Sequence, residues 1–308
     1  MQRKVWTNGV LIDEKEARVS IYDEALQFGT VCFEMMRTFN KITFKLQEHI
    51  DRLAMSCKIL EIDTSDWHLH DAHEMLLNWH IDHFPEVEEW RSLINVSRGI
   101  LPLYQNMLGD EGKPNIMIAC FPLSEILKGK SHLYDTGVKA IVPSQRAIPH
   151  HLLDARLKTR SRQHYQVANM SVAKQDPEAW ALLLDEQGFI AEFTGSNIFI
   201  LKDGHLRTPK GINCLRGISR QFIIDNFQDY FYEEADLTLF DLIESDGAFA
   251  TCTPYSIVPI TKVNNHAMGN EIGMTIIDKI SRDWESIVGC KFREQARRWD
   301  AGIEGKMK

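Results

Sequence analysis

The chain has 308 residues, 44% hydrophobic and 25% charged, which is ordinary for a globular protein and long enough for two domains. Its net charge of −8 argues against nonspecific binding to nucleic acid or to anionic membranes. No apolar run approaches the roughly 20 residues that a membrane-spanning helix needs. The first residues also lack the apolar core of a signal peptide, so we expect a cytoplasmic protein.

Strand and helix signals alternate in the first part of the chain. Asn8-Gly9 is a strong signal for a tight turn between two antiparallel strands. The spacing of the apolar residues predicts two helices, and Arg52 lies beside the apolar face of the first, where spacing alone indicates a surface arginine. In chain order we predict strands at 5–7, 10–12, 33–39 and 42–44, helices at 46–60 and 66–83, and strands at 91–98 and 115–121.

The predicted domain boundary follows the last of these strands. We predict a small N-terminal α/β domain over residues 1–122, a linker over 123–133 and a large C-terminal domain over 134–308. The charged tail after Cys290 is expected to cap the last helix or to lie on the surface. The second domain is predicted to contain strands at 138–142, 181–184, 198–201, 206–209, 231–236 and 248–252, a further strand near Glu192, and helices at 162–174, 221–226 and 274–288.

Metal and disulfide chemistry have little support in the sequence. The second predicted helix is rich in histidine, but it has no cysteine partner and no H-E-x-x-H arrangement, so we expect a solvated helix face and no metal site. The six cysteines are spread evenly and form no C-x-x-C pair, which is typical of free thiols in a reducing compartment.

One polar segment interrupts the apolar strands of the second domain. Glu192 lies between the apolar runs 181–184 and 198–201. A carboxylate there is costly unless it meets a cation or a hydrogen-bond donor. Glu192 is therefore a candidate functional residue, although without other evidence a satisfied carboxylate in a turn is the preferred explanation.

Six short motifs appear in a fixed order along the chain. In this order they resemble the class IV (fold type IV) pyridoxal-phosphate aminotransferases, a family that includes branched-chain aminotransferases, D-amino-acid aminotransferases and aminodeoxychorismate lyases. The 34 positions between Lys158 and Glu192 also suit the family, and the resemblance runs from about Trp6 to Ile260. The motifs are Gln27-Phe-Gly with Phe33-Glu34, Glu48-His-Ile-Asp-Arg52-Leu, Arg156-Leu-Lys158-Thr-Arg, Glu192-Phe-Thr-Gly-Ser-Asn197, Leu215-Arg-Gly217-Ile-Ser219-Arg220 and Ala248-Phe-Ala-Thr-Cys-Thr253-Pro.

The resemblance implies an α/β (α+β) fold with a small mixed domain and a larger, β-barrel-like domain that binds pyridoxal 5′-phosphate. It makes Lys158 the Schiff-base lysine, and the cations Arg156 and Arg160 would favour a lowered pKa of its amine. It places Glu192 at the pyridine nitrogen and Leu215 against the ring. It assigns the phosphate group to Arg52, Gly217, Ile218, Ser219 and Thr253.

The implied reaction is a ping-pong transfer of an amino group between an amino acid and a 2-keto acid in a homodimeric enzyme. Branched-chain or related L-amino acids are the default substrates. A lyase of the aminodeoxychorismate type is the nearest alternative, and a non-catalytic dimeric relative is the alternative from another class.

Three departures from the family pattern bear on the substrate site. The family's Ser-x-Asn-Tyr/Leu run is missing after Lys158, and Arg162, His164 or Tyr165 replaces it. Phe193 stands where a glycine is usual, so the pocket is expected to be reshaped there. Leu103 and Gln105 stand where D-amino-acid aminotransferases carry arginine and histidine, which disfavours a D-amino acid. The remaining substrate candidates are Phe33, Arg37, Arg98 and Tyr165.

Overall fold

The structure, a computed structural model, describes residues 1–230 and 232–302. These residues form two compact units, and each is described by itself. Unit 1 comprises residues 1–126 with 157–161, and unit 2 comprises 127–156 with 162–302. Segment 157–161, which carries Lys158, thus belongs to unit 1 although its chain neighbours belong to unit 2. Residue 231 of the predicted strand and residues 303–308 of the predicted second domain lie outside the described residues.

Unit 1 is built on a six-stranded sheet with the order β2-β1-β6-β5-β3-β4, antiparallel throughout. Helix α2 packs on β3, and helix α3 packs on β1 and β6. The elements are β1 Lys4–Thr7, β2 Val10–Asp13, a 3-10 turn Glu14–Glu16, α1 Glu24–Gln27, β3 Val31–Phe39, β4 Ile42–Thr43, α2 Leu46–Ile59, α3 Leu69–His83, β5 Trp90–Ser97, α4 Pro102–Leu108, β6 Asn115–Pro122 and α5 Ser124–Leu127.

Local sequence explains the first hairpin, and apolar packing explains the helices. Asn8 and Gly9 have φ values of 48° and 96°, the left-handed conformation that a two-residue hairpin turn needs. Leu53 of α2, Leu76 of α3 and Ile94 of β5 are fully buried in one apolar cluster between the helices and the sheet. Burial of this face, rather than helix propensity, holds both helices in place.

Segment 157–161 extends one edge of strand β3. Phe33 donates its backbone N–H to the Lys158 carbonyl at 3.0 Å, and Arg160 donates to the Val31 carbonyl at 2.9 Å. Cys32 and Thr159 form an antiparallel bridge between these two bonds. Lys158 is therefore fixed by backbone pairing to the beginning of β3.

Unit 2 contains a nine-stranded sheet with the order β12-β11-β10-β13-β14-β7-β8-β9, and β15 pairs with β14. The elements are α6 Leu133–Thr136, β7 Val138–Ile141, α7 Gln163–Ala173, β8 Trp180–Leu184, β9 Ile190–Phe193, β10 Asn197–Lys202, β11 His205–Pro209, α8 Ile218–Asn226, a 3-10 turn Gln228–Tyr230, β12 Tyr232–Ala235, α9 Leu239–Ile243, β13 Gly247–Cys252, β14 Ser256–Val263, β15 His266–Ala267, α10 Glu271–Val288 and α11 Phe292–Asp300.

The two ends of this sheet meet. Ile190 at the start of β9 donates its backbone N–H at 2.7 Å to the carbonyl of Leu237, which follows β12. The contact closes the sheet in part, so the predicted mixed α/β fold with a barrel-like second part is confirmed. No helix among the described residues has the length and apolarity to cross a membrane.

Several elements of unit 2 differ from the sequence-based expectation, and β14 and the segment after Cys290 are the most instructive. Strand β14 was not predicted, and Pro259 within it is a residue that usually argues against a central strand. The tail after Cys290 was expected to cap a helix or to lie on the surface, and this is wrong for its described part. It forms α11, which buries Phe292, Ala296 and Trp299 at helical spacing.

Candidate active site

The first polar cluster lies in unit 1 around Glu34, a carboxylate on β3 that is 0% exposed. Its two oxygens accept hydrogen bonds from Nε and Nη2 of Arg52, both at 2.7 Å. One of them also lies 2.7 Å from Nδ1 of His49. Burial would raise the pKa of Glu34, but the Arg52 charge and the His49 hydrogen bond outweigh it and hold that pKa far below the ordinary value.

Arg52 is not the surface arginine that spacing alone indicated. Its side chain is only 12% exposed and forms a two-pronged ion pair with Glu34. Ser56, one helical turn later, donates its hydroxyl to the Arg52 carbonyl at 3.0 Å and accepts the backbone N–H of Lys158 at 3.3 Å. Arg52 and Lys158 are therefore linked through one buried hydroxyl.

Lys158 is half-buried, and its amine lies beside an aromatic ring. Lys158 Nζ is 4.9 Å from the ring centre of Phe33, and the guanidinium carbon of Arg160 is 3.8 Å from the same centre. Burial lowers the pKa of His49, and the positive charges of Arg52 and Lys158 lower it further. Within unit 2, Arg156 pairs with Asp154 at 2.5 Å.

The second polar cluster lies in unit 2 around Glu192, which is 6% exposed on β9. Tyr165 on α7 donates its hydroxyl to Oε1 at 2.7 Å. Oε2 accepts from the side-chain amide of Asn197 at 3.1 Å and from the backbone N–H of Leu215 at 3.2 Å. Burial raises the pKa of Tyr165, and the negative charge of Glu192 raises it further, so Tyr165 remains a donor.

Gly217 precedes helix α8 at a point of close approach. A Cβ atom at this position would lie 2.1 Å from Oδ1 of Asn197, so no other residue fits without movement. Asn197 also donates to the Leu215 carbonyl at 2.8 Å. The glycine therefore lets the beginning of α8, with Ile218 and the buried Ser219, lie against the side chain that contacts Glu192. Thr253 lies within unit 2 in the turn between β13 and β14.

Phe193 lies next to Glu192 on β9 and is 1% exposed. Its ring packs edge-on against Trp180 with the ring centres 5.9 Å apart. Both rings line a cavity of about 330 Å³ that Tyr255, Ser196 and other residues of unit 2 complete. The bulky side chain therefore fills part of the interior where the family has a glycine.

The three residues proposed to replace the missing motif after Lys158 lie together. Tyr165 contacts Glu192 through its hydroxyl. The guanidinium carbon of Arg162 lies 5.1 Å from the centre of the Tyr165 ring, and the ring of His164 lies 4.3 Å from it. Both flanking groups are therefore in place to support the tyrosine.

The other two substrate candidates differ in exposure. Arg37 is 1% exposed, donates to the Thr38 carbonyl at 3.0 Å and stacks over the Phe39 ring at 3.9 Å. The side chain of Arg98 is 42% exposed and lies 4.0 Å from Glu24. Arg37 thus has the contacts of a core residue, whereas Arg98 is accessible to a ligand.

Sequence reasoning did not assign roles to Glu34, His49 or Asn197. Glu34 and His49 were part of the family motifs, but their pairing joins a strand to a helix 15 residues later. Asn197 ended the polar run that began at Glu192. Its signal was its position beside two apolar strands, where a buried amide needs partners.

Residues 31–263 match the model of the family described as amino-transferase class IV. A putative branched-chain-amino-acid aminotransferase of Methanocaldococcus jannaschii is 31% identical over 92% of this chain and 96% of its own length. A D-alanine aminotransferase of Bacillus licheniformis is 26% identical over 87% of this chain and 90% of its own length.

Solved structures of branched-chain aminotransferases have the same fold. The enzyme from Thermoproteus uzoniensis with norvaline has a TM-score of 0.77 and 25% identity, covering 97% of this chain and 98% of its own. The T.th. enzyme with pyridoxamine 5′-phosphate has a TM-score of 0.79 and 23% identity, covering 94% and 96%. These likenesses confirm the predicted family, fold class and aminotransferase activity. The chain belongs to the amino-transferase class IV family.

Proposed function

We propose that this aminotransferase uses pyridoxal 5′-phosphate to move an amino group between a branched-chain or related L-amino acid and a 2-keto acid. The single observation that carries the proposal is the environment of Glu192. Three hydrogen-bond donors point at this buried carboxylate, and such donors favour the charged form of a carboxyl group. Such a group suits a ligand that presents a cationic N–H, as a protonated pyridine does.

The residues present also fit the rest of this cofactor. Gly217 permits a close approach that a Cβ atom would block, and it leaves the backbone N–H groups at the start of α8 for an anion. Leu215 is an apolar side chain suited to one ring face. We assign the phosphate group to Arg52, Gly217, Ile218, Ser219 and Thr253.

When bound, pyridoxal phosphate supplies an electron sink for the amino-bearing carbon of the substrate. Lys158 provides the amine that anchors the cofactor covalently, and during turnover it carries the proton of that carbon. Phe33 shields the Lys158 amine from water on one side, since its ring lies 4.9 Å away. Tyr165 and Asn197 hold the Glu192 carboxylate in place through their hydrogen bonds.

The substrate assignment is supported by relatives and by two residues of this chain. Some relatives similar over most of the chain are named branched-chain aminotransferases, others D-alanine aminotransferases, and one related branched-chain structure contains norvaline. Leu103 and Gln105 do not supply the arginine and histidine expected for a D-amino acid. Phe33, Tyr165 and Arg98 remain the substrate candidates, and Arg98 is the accessible cation for a carboxylate. The contacts of Arg37 favour a structural role.

A homodimer is part of the proposal, and an apolar surface of unit 1 supports it. Tyr22 packs against Tyr104 with ring centres 4.8 Å apart, which brings the segment before β3 beside helix α4. Large apolar side chains on these segments are exposed, which is common where a second protein chain binds. They are Ile21, Leu26, Phe28, Leu103 and Met107.

Two further assignments complete the proposal. We assign the chain to the cytoplasm, which six free cysteines support, since reducing compartments keep thiols unpaired. We also propose that the two units correspond to two domains, with pyridoxal phosphate binding assigned chiefly to the second.

The test is the visible absorption spectrum of the purified protein with pyridoxal phosphate, beside that of Lys158→Ala. We expect a yellow band in the wild type, its loss in the variant, and turnover lowered by at least about 10³-fold, because the anchoring and proton-carrying amine is gone. Exposed Lys174→Ala is the matched control and should keep both band and turnover. Turnover of Lys158→Ala equal to wild type would rule out its role.

Substrate assays on the same protein then test the reaction and its specificity. Bleaching of the band by L-valine, L-leucine or L-isoleucine, followed by recovery with a 2-keto acid, is the expected result. Bleaching by D-alanine alone would overturn the substrate class. Release of pyruvate from a chorismate-derived amine without any acceptor would instead identify a lyase, and a protein that never becomes yellow would be a non-catalytic relative.

A further inference from the structure

We propose that Glu34, supported by His49, is a positioning residue that orients the guanidinium of Arg52 for the phosphate group of the cofactor. The inference rests on the proposed function, in which Arg52 binds that phosphate. It concerns residues of unit 1 alone, and it assigns a role to a buried carboxylate that the proposed reaction does not use.

The geometry of the ion pair fixes both the place and the plane of the guanidinium. Nε and Nη2 of Arg52 each lie 2.7 Å from a different oxygen of Glu34. Two parallel bonds to one carboxylate hold a planar guanidinium against rotation, which a single bond would not do. Two of the five N–H groups of the Arg52 guanidinium donate to Glu34 in this way. Because the guanidinium is planar and rigid, these two bonds also determine where its other N–H groups lie.

Glu34 is itself held from a second direction. His49 lies three residues before Arg52 on α2, so both side chains project from the same face of the helix towards β3. Its Nδ1 atom is 2.7 Å from the oxygen that also accepts from Nη2 of Arg52. The His49 side chain is 1% exposed, so this contact is shielded from water and its direction is well defined.

Stability alone is a weak reason for such a pair. Removing a carboxylate completely from water costs several kcal/mol, and apolar residues of similar volume often stabilise a fold equally well or better. Glu34 lies beside the fully buried apolar residues Cys32 and Met36 on the same strand, where an apolar side chain would fit the surroundings. Its charge is better explained by what it does to Arg52.

The network also fixes Arg52 relative to Lys158. Ser56 lies one turn after Arg52 on α2, and its hydroxyl connects the Arg52 carbonyl to the Lys158 backbone N–H. Strand β3 contributes twice, since Phe33 pairs with the Lys158 backbone and Glu34 pairs with the Arg52 side chain. Arg52 is proposed to bind the phosphate end of the cofactor and Lys158 its carbonyl end. Adjacent residues of β3 thus position both of them.

The test compares the binding of pyridoxal phosphate with that of pyridoxal, which lacks the phosphate group. Dissociation constants of both are measured by equilibrium dialysis for the wild type, Glu34→Gln, Arg52→Ala and the double variant. Glutamine preserves the shape of Glu34 but removes its charge. We expect Glu34→Gln to weaken pyridoxal phosphate binding roughly 10- to 100-fold and to leave pyridoxal binding within about threefold. The double variant should be no worse than Arg52→Ala.

The outcomes separate the inference from the function on which it rests. A wild type that binds the two compounds equally would refute the phosphate role of Arg52 and with it the proposed function. If Arg52→Ala loses the preference but Glu34→Gln keeps it, the inference alone is refuted. Equal weakening of both compounds in Glu34→Gln would indicate a purely structural role and would also refute it.

Two further variants complete the experiment, one as a matched control and one as a substitute if Glu34→Gln does not fold. Glu48→Gln changes an exposed carboxylate on the same helix, next to His49, and should leave both constants unchanged. If Glu34→Gln fails to fold, His49→Gln takes its place, because it removes the support of Glu34 but keeps the ion pair. We expect a smaller, phosphate-specific loss from His49→Gln, and an unchanged preference for pyridoxal phosphate would count against the inference.

Discussion

Each unit has a buried carboxylate at the centre of a polar cluster, Glu34 in unit 1 and Glu192 in unit 2, and different kinds of donor hold the two. In unit 1, Glu34 meets the guanidinium of Arg52, so its charge is balanced by a partner on a neighbouring helix. In unit 2, Glu192 accepts hydrogen bonds from a phenol, a side-chain amide and a backbone N–H, and none of these donors carries a charge.

In our proposals Glu34 orients another side chain, whereas Glu192 binds a ligand. A fully paired charge has a large effect on geometry and little remaining attraction for a cation. Glu192 accepts from the three dipolar donors named above, and it is the carboxylate that we propose for the cationic N–H of the cofactor. The two proposals therefore give the same residue type two different purposes.

The largest expected effect concerns Phe193, which we expect to contribute packing to β9, whereas its neighbour Glu192 contributes chemistry. Phe193 is 1% exposed and packs against Trp180. We predict that Phe193→Ala destabilises the fold by about 3–5 kcal/mol, because it removes a buried ring and leaves a void. Thermal unfolding measures this, and Ile272→Ala, 73% exposed, is the control expected to stay within about 0.5 kcal/mol. A small loss for Phe193→Ala would contradict its packing role.

The next largest effect is a loss of kcat, which tests the difference between Glu192 and Glu34 directly. Glu192→Gln should lower kcat about 10²- to 10³-fold, since an uncharged amide cannot keep a pyridine nitrogen protonated. Glu34→Gln should retain kcat within about tenfold at saturating pyridoxal phosphate, because it changes binding rather than the reacting groups. Steady-state kinetics of both variants decide the point. The comparison fails if the two losses in kcat are equal, or if that of Glu34→Gln is larger.

The smallest effect is the dependence of unfolding on pH. The folded pKa of Glu34 is lowered, so its contribution is complete above the unfolded pKa of about 4.3 and is lost as pH falls towards the folded pKa. His49 also has a lowered pKa, so folding resists its protonation and stability falls as pH drops below about 6.5. Urea unfolding should therefore show constant stability from pH 7 to 8.

Below pH 4 the Glu34 contribution should fall by at most about 1.4 kcal/mol per pH unit. The matched measurement uses Glu34→Gln, in which this acid-dependent part should be absent. Identical acid dependence in the wild type and the variant would show that Glu34 is not held ionised by Arg52.

Local signals predicted most of the fold. The Asn8-Gly9 turn and the apolar spacing of α2 are determined by neighbours in the sequence, and the structure has both where they were expected. Strand β14 was not predicted, and its Pro259 is a residue that disfavours a strand. Helix α11 was missed because its charged residues hid three apolar ones at helical spacing.

Long-range pairing limited the prediction of the site. The resemblance to a family identified Lys158, Glu192 and Gly217 as candidates, but a sequence does not say which distant groups meet. The ion pair of Glu34 with Arg52 joins a strand to a helix, and the hydroxyl of Tyr165 reaches Glu192 across 27 positions. Such contacts depend on how elements pack, so spacing alone made Arg52 a surface residue.

The short segment 157–161 has a consequence for the synthesis of the chain. Unit 1 lacks one edge partner of β3 until residue 161 has left the ribosome, because the segment that pairs with Val31 and Phe33 follows part of unit 2 in the chain. A fragment that stops at residue 126 would expose unpaired backbone groups on that edge, a known template for aggregation. Lys158 and the missing edge partner of β3 therefore leave the ribosome together.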